Sequence, residues 1–330
     1  MTRAPRNPSP AGRAGDPPRE GGGDGDQLDE GLVWASDAED PAPRILASEE
    51  DDEGPPASEP GEELAPGYEV IEHLSRGDAL DVYDVWSRER SCRCAVKVLR
   101  PDRRTHERTR RRLLTEGHLL EQLTHPHLVR AYETIEEPDP IVILETLTGE
   151  TLSYTIARRA RRLALLELAY LGLHLCSAVE YLHGQGYLHL DLKPSNIMSA
   201  CGIAKVLDLS LSSPPGERKS GAGTRAYMAP EQARGGYVDT PADLWGIGAV
   251  LYEAAAGRPP FELEEDGPKY PQLTCPADPI RRHRRLPQEF AAQIDACLAL
   301  EPSKRPSVQA LASALEAFTE YGRRGRPEYD

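Results

Sequence analysis

Eight residues, His189-Leu190-Asp191-Leu192-Lys193-Pro194-Ser195-Asn196, constrain this chain more than any other stretch. They bring a carboxylate, an ammonium and an amide together on one short loop. Asp191 can accept a proton from a hydroxyl, Lys193 can sit against a phosphate, and Asn196 can offer its amide oxygen to a divalent cation. Phosphoryl transfer asks for that set, because its catalysis is mostly positioning and charge neutralisation around the moving group. The bland alternative is an arbitrary polar loop. It loses ground as matching residues turn up at set distances on either side.

The 330 residues leave room for one large two-lobed domain or two ordinary ones. Charge is spread unevenly: residues 1–66 hold 17 Asp and Glu against 5 Arg, a net of −12 out of −15, which leaves −3 for the other 264. A nearly balanced remainder is a poor candidate for nucleic-acid binding. The six cysteines (Cys92, Cys94, Cys176, Cys201, Cys275, Cys297) are scattered in a chain too large to need stapling, and read as free thiols in a reducing compartment. Cys92 and Cys94 have no second Cys or His pair to complete a zinc pattern. With no run of about 18 apolar residues, no membrane span is expected. The opening Met1-Thr2-Arg3-Ala4-Pro5-Arg6 lacks the apolar core of a signal peptide, so the cytoplasm is the expected location.

Residues 1–66 are rich in Gly, Pro, Asp and Glu, and are expected to be a disordered acidic tail. The apolar island Leu32-Val33-Trp34 within it reads as a chance triplet sooner than a docking motif. The tail remains a candidate site for a regulatory partner. From Tyr68 the pattern predicts five strands: 68–74, 82–86, 94–99, 128–134 and 141–147. One helix interrupts them at 107–123, with Leu113, Leu114, Leu119, Leu120 and Leu123 on a helical period. Beyond Gly149 the chain turns helical. The segment 163–182 is apolar around its whole circumference, hence buried, and 242–256 repeats that character. Further helices are predicted at 288–300 and 308–318, then a polar tail over 321–330. A sheet lobe followed by a helical lobe predicts a cleft between them.

Several strings flank the loop: Cys94-Ala95-Val96-Lys97; Glu116 on the one small-lobe helix; Asp208-Leu209-Ser210; Met228-Ala229-Pro230-Glu231; and Asp243-Leu244-Trp245-Gly246. With it, they make the chain resemble the eukaryotic-like, bacterial-type serine/threonine protein kinases from about Tyr68 to Phe318. The resemblance implies an α+β, bilobal protein-kinase fold. A five-stranded antiparallel sheet lobe with one helix (67–145) would precede a larger, mainly helical lobe (146–320). It implies transfer of the γ-phosphoryl of ATP to Ser or Thr hydroxyls of a protein substrate, with magnesium or manganese. Asp191 would orient or deprotonate the acceptor, and Lys193 and Lys97 would neutralise phosphate. Glu116 would position Lys97, and Asn196 and Asp208 would hold metal. Gly77 would belong to the phosphate loop. Val82 and Ala95 would roof the adenine and Met198 floor it, with Leu144 as gatekeeper and Glu145 to Leu147 as hinge. Glu231 is expected to pair with Arg305, and Asp243 to anchor the catalytic loop.

The chain also departs from the family. Leu190 stands in place of an arginine that commonly receives an activation-segment phosphate, which predicts weak dependence on phosphorylation there. Leu209-Ser210 replaces Phe-Gly after Asp208. Of three loop glycines only Gly77 is kept in Ser75-Arg76-Gly77-Asp78-Ala79-Leu80-Asp81-Val82, and Asp78 and Asp81 are expected to oppose a polyphosphate. These departures favour an alternative, a pseudokinase acting as a nucleotide-binding or scaffold module; the intact Lys97, Glu116, Asp191, Asn196 and Asp208 oppose it. Three arginine clusters lie around Arg103 to Arg112, Arg158 to Arg162 and Arg281 to Arg285. They read as solvated faces, with the first also placed to attract the acidic tail.

Overall fold

Alternating side chains build the small lobe. In the computed structural model, which describes residues 54–158, 162–200, 202–264 and 266–319, six antiparallel strands form one sheet. They are β1 (Glu63–Ala65), β2 (Tyr68–Arg76), β3 (Leu80–Ser87), β4 (Cys92–Leu99), β5 (Ala131–Ile135) and β6 (Ile141–Glu145), in the order β1-β2-β3-β4-β6-β5. Residues of one parity, Tyr83, Val85, Cys94, Val96, Ile141 and Ile143, form a separate core on the outer face. Residues of the other parity, Ala95, Leu99, Val142 and Leu144, join the main core, as the two-residue period of a strand requires. Helix α1 (Glu107–Gln122) packs on β5 and β6, burying Leu113, Leu119 and Leu120.

The predicted sheet had five strands, and the sixth comes from the segment assigned to the tail. β1 pairs Ala65 with Tyr68, Ala57 packs against the outer core, and the Ser58 N–H donates to the Tyr83 hydroxyl at 2.9 Å. Ordered chain therefore reaches back across the expected boundary at residue 66. Residues 1–53 with the Leu32–Trp34 island, Arg159 and Arg161, Cys201 and the 321–330 tail lie outside the described residues.

The large lobe is laid on two buried helices. α3 (Leu165–Gly184) and α5 (Pro241–Ala256) pack on each other, with α6 (Gln288–Cys297) and α7 (Val308–Glu316) outside them. α3 is long and apolar enough to cross a membrane by length and composition, which corrects the expectation that no such run exists. Its Leu168, Leu171, Leu175 and Leu182 are buried in the lobe's core, the setting of a core helix. Thus the apolarity noted at 163–182 reflects burial inside protein.

Short elements carry the cleft-facing loops. β7 (Glu150–Thr151) leads into α2 (Leu152–Arg158), and β8 (Ile197–Ala200) and β9 (Ile203–Val206) form a hairpin beyond the catalytic loop. β10 (Gly216–Arg218) pairs with β11 (Gly236–Val238) around α4 (Pro230–Arg234).

Candidate active site

Lys97 lies on the cleft side of β4, directly opposite Val142 on β6. Its ammonium donates to Glu116 Oε1 at 2.6 Å and to the Leu207 carbonyl at 3.2 Å. Glu116 is buried on α1 and also accepts the Leu209 N–H at 3.4 Å. Burial pushes its carboxyl up to about 7 against the pull of Lys97, with the Asp208 charge adding to the rise. The ammonium moves upward too: burial opposes its charge, but Glu116 and Asp208 together outweigh that. One side chain thus joins the sheet, the helix and the strand end before Asp208.

The catalytic loop hangs from α5. Asp243, in the first turn, accepts the His189 N–H on Oδ2 and the Leu190 N–H on Oδ1, each at 2.8 Å, while His183 bonds the same Oδ2 at 2.8 Å. Gly246, one turn on, permits this approach: a Cβ there would lie 2.9 Å from the Leu192 Cβ. Leu190 is buried with φ of 69°, a left-handed conformation that costs a non-glycine residue roughly 1–2 kcal/mol. Two anchors hold it, Asp243 on its N–H and Gln232 Nε2 on its carbonyl at 2.8 Å.

Asp191 is thereby aimed into a polar cluster. Its Oδ1 accepts both the N–H and the hydroxyl of Thr224, each at 2.8 Å. Lys193 Nζ lies 3.1 Å from Oδ2 and donates to the Thr224 hydroxyl at 2.8 Å. Asn196 Nδ2 donates to the Asp191 carbonyl at 3.1 Å, which leaves its amide oxygen free of any partner among the described residues. Thr224 was absent from the expected site residues, although the Gly223-Thr224 pair before Met228 was its signal. Gly223 (φ 128°) brings it in, since a Cβ would stand 3.1 Å from the Leu190 carbonyl.

Asp208 follows β9, and the Leu207 N–H bonds the Asn196 carbonyl at 2.9 Å, so the two expected metal ligands occupy facing ends of one hairpin. Burial alone would raise the Asp208 carboxyl. Lys97 and the Ser210 N–H (2.7 Å from Oδ1) win, and hold it at about 2. A charged carboxylate and a free amide oxygen are hard donors suited to magnesium, which takes one or two protein ligands and completes its shell with phosphate and water. The donor set fits the implied metal. Burial lowers the His189 imidazole, and the charges of Asp243, Asp191 and Asp208 each pull the other way.

The residues expected to line an adenine share one parity of the sheet. Ala95 pairs with Leu144, which is buried, and Val82 pairs with Lys97 on the same face. Met198 on β8 and Leu147 in the hinge are both buried in the main core. Glu145 turns its side chain to the Arg130 N–H (2.9 Å) and to Lys205. The Leu147 N–H has no hydrogen-bond partner among the described residues.

The protein kinase domain family matches residues 68–315, three-quarters of the chain. The chain belongs to the protein kinase family. It is 31% identical to the serine/threonine-protein kinase PknB of Mycobacterium tuberculosis over 262 residues, 73% of this chain and 41% of that one. It is also 31% identical to the DNA damage-responsive serine/threonine-protein kinase RqkA of Deinococcus radiodurans over 271 residues, 78% of this chain and 40% of that one. The chain thus spans well under half the length of these relatives. The crystal structure of the Mycobacterium tuberculosis PknI kinase domain superposes with a TM-score of 0.62 at 24% identity, covering 79% of this chain and 99% of that one, and so shares the fold.

Set against the family's pattern, the β2–β3 turn is unusual. Gly77 closes a tight turn, its N–H on the Leu80 carbonyl at 2.8 Å. The expectation that Asp81 would repel a polyphosphate is corrected: Asp81 shares the outward parity of Tyr83, is fully buried, and is bonded by Arg76 Nε at 2.7 Å and His73 at 3.2 Å. Its charge is neutralised on the far face of the sheet. Of the two aspartates, Asp78 alone stays exposed. Leu80 has the cleft parity and packs against the main core, so bulk replaces glycine there. The kinase shelf is intact. Glu231 takes a forked pair from Arg305 at 2.6 and 2.8 Å, and Arg305 also bonds the Pro241 carbonyl at 2.8 Å and stacks on Trp245.

Proposed function

We propose that this chain is a serine/threonine protein kinase that transfers the γ-phosphoryl group of ATP to hydroxyls of protein substrates. The observation carrying this reading is the continuous polar path from Lys97–Glu116 through Leu207 and Asn196 to Asp191, Lys193 and Thr224. In it, Lys97 meets the α and β phosphates, Lys193 meets the transferring phosphoryl, and Asp191 receives the acceptor's hydroxyl proton. Asn196 and Asp208 would hold magnesium or manganese, which when bound neutralises phosphate oxygens. Val82, Ala95, Leu144, Leu147 and Met198 would enclose the adenine. The catalytic unit would run over about 67–320, with the strand at 63–65 added to its sheet. Free thiols at Cys92, Cys94, Cys176, Cys275 and Cys297 support a cytoplasmic location.

The second reading, a nucleotide-binding scaffold, draws on Leu80 in the roof, but the paired Lys97 and the charged Asp208 speak against it. Incubation with labelled ATP and magnesium or manganese, comparing wild type with Asp191→Asn, decides between them. Loss of a positioned base is expected to cut incorporation by about 10²–10⁴-fold while ATP still raises the melting temperature of both proteins. Equal labelling of the two would end the enzymatic reading.

A further inference from the structure

An open hollow of about 390 Å³ lies between the first two turns of α1 and the Asp208-Leu209-Ser210 turn, outside the nucleotide cleft. Its walls are Arg108, Arg111, Arg112, Glu107, Thr115 and Ser210. Arg111 is turned to Glu107 at 3.4 Å, an exposed i,i+4 pair. Arg108 and Arg112 have no hydrogen bond or ion pair among the described residues. Partial burial and the like charge of Arg108 press the Arg112 guanidinium downward, and only the charge of Asp208 works the other way. Two guanidiniums without a hydrogen-bonded counter-ion, facing one concavity, make an attractive seat for anions.

The nearest anionic sequence is the chain's own. Glu49-Glu50-Asp51-Asp52-Glu53 carries five consecutive carboxylates and ends one residue before Gly54. From there the path is set by contacts. The Pro55 carbonyl accepts from Arg76 at 2.8 Å, at the end of β2. The adjoining Gly77 carbonyl accepts from Arg100 at 3.2 Å, and the Arg100 N–H bonds the Ala79 carbonyl at 3.0 Å. Arg100 leads through a short turn at Pro101–Arg103 directly into α1. A five-residue run spans at most roughly 17 Å, while α1 rises only about 1.5 Å per residue. A tethered segment also reaches its seat at an effective concentration that free anions rarely match.

We infer that the acidic run 49–53 docks in cis into the arginine hollow of α1. Docking offsets the Arg108–Arg112 repulsion. It also ties the leading segment to the helix that carries Glu116, four residues past Arg112, so the segment acts on the Lys97 ion pair without entering the cleft. The inference does not depend on phosphoryl transfer, and its test reads structure alone.

Amide hydrogen exchange over residues 107–115 of the full chain is the measurement. Wild type at 50 mM NaCl should exchange at least about fivefold slower than a variant with residues 49–53 neutralised to Gln and Asn. The gap should close at 500 mM NaCl, where screening is short-ranged. Arg108→Gln with Arg112→Gln should match the neutralised variant. Arg108→Glu with Arg112→Glu should regain protection only when 49–53 are changed to Lys. Equal exchange in wild type and the neutralised variant at low salt would overturn the inference. So would protection that scales with protein concentration, which means docking between chains, or protection lost on phosphatase treatment, which means a phosphate in the seat.

Discussion

Thr224 donates twice to one oxygen of Asp191 and accepts from Lys193, so one small side chain orients both groups. Thr224→Ala keeps the backbone N–H and loses the hydroxyl; kcat should fall by about 10–100-fold, the cost of a misplaced base. Thr224→Ser should stay within about threefold of wild type. Steady-state kinetics on the three proteins checks this. Glu116 gives a pH dependence of opposite sign for binding and stability. Burial pushes its carboxyl up to about 7 in the folded protein against an ordinary 4.5. Between those values the folded state holds a proton that the unfolded chain has released. Its ionisation therefore opposes folding in full above pH 7, and that opposition is relieved as pH falls toward 4.5. Protonation also releases Lys97, so ATP affinity should decline below about pH 7 as this component of stability improves. ATP titrations across pH on wild type and Glu116→Gln test it; persistence of the acid limb in the variant would refute the assignment. At this scale a residue's surroundings were legible where a motif fixes them, as for Lys97 beside Glu116 and for the loop anchored on Asp243. It was misread at Asp81, where loop proximity was weighed and strand parity was not: Val82 facing the nucleotide obliges its neighbour to face away.

Among the elements, α5 holds the catalytic loop at one end and the substrate shelf nearby. Arg305, its side chain fully buried, bonds Glu231, the Pro241 carbonyl and the Ala299 carbonyl, and stacks on Trp245 of that helix. Glu231→Gln leaves a buried guanidinium with no counter-charge and should cost roughly 3–5 kcal/mol. At about 2–4 °C per kcal/mol for a domain of this size, a thermal melt should drop by about 6–20 °C. A melt unchanged within 2 °C would show that the pair contributes little. Elements with a long apolar period were readable in advance, α1, α3, α5, α6 and α7 each within a few residues of their observed ends. The β8–β9 and β10–β11 pairs and helix α4 were harder to foresee. Strands of three or four residues carry no usable period, and their partners are set by tertiary contact.

For the whole molecule, composition drew the domain edge too late. Residues 54–66 are acidic and Pro-rich like what precedes them, yet Ala57 and Ala65 cover the outer core beside Tyr83 and Val70. A window average cannot register two well-placed alanines and a few backbone hydrogen bonds. Deleting residues 1–53 should therefore leave the melting temperature at 500 mM NaCl within about 2 °C of the full chain, whereas deleting 1–66 should lower it by about 5 °C or more. Differential scanning calorimetry on the two truncations separates these outcomes, and equal melts would mean that β1 is dispensable.

Arg76 gives this architecture a mechanical property. The same guanidinium grips Asp81 at the start of β3 and the Pro55 carbonyl of the incoming chain, so it works as a rivet joining that segment to the β2–β3 turn. Tension or a bulky cargo attached upstream would be felt first at that turn, well before it reached the loop carrying Asp191.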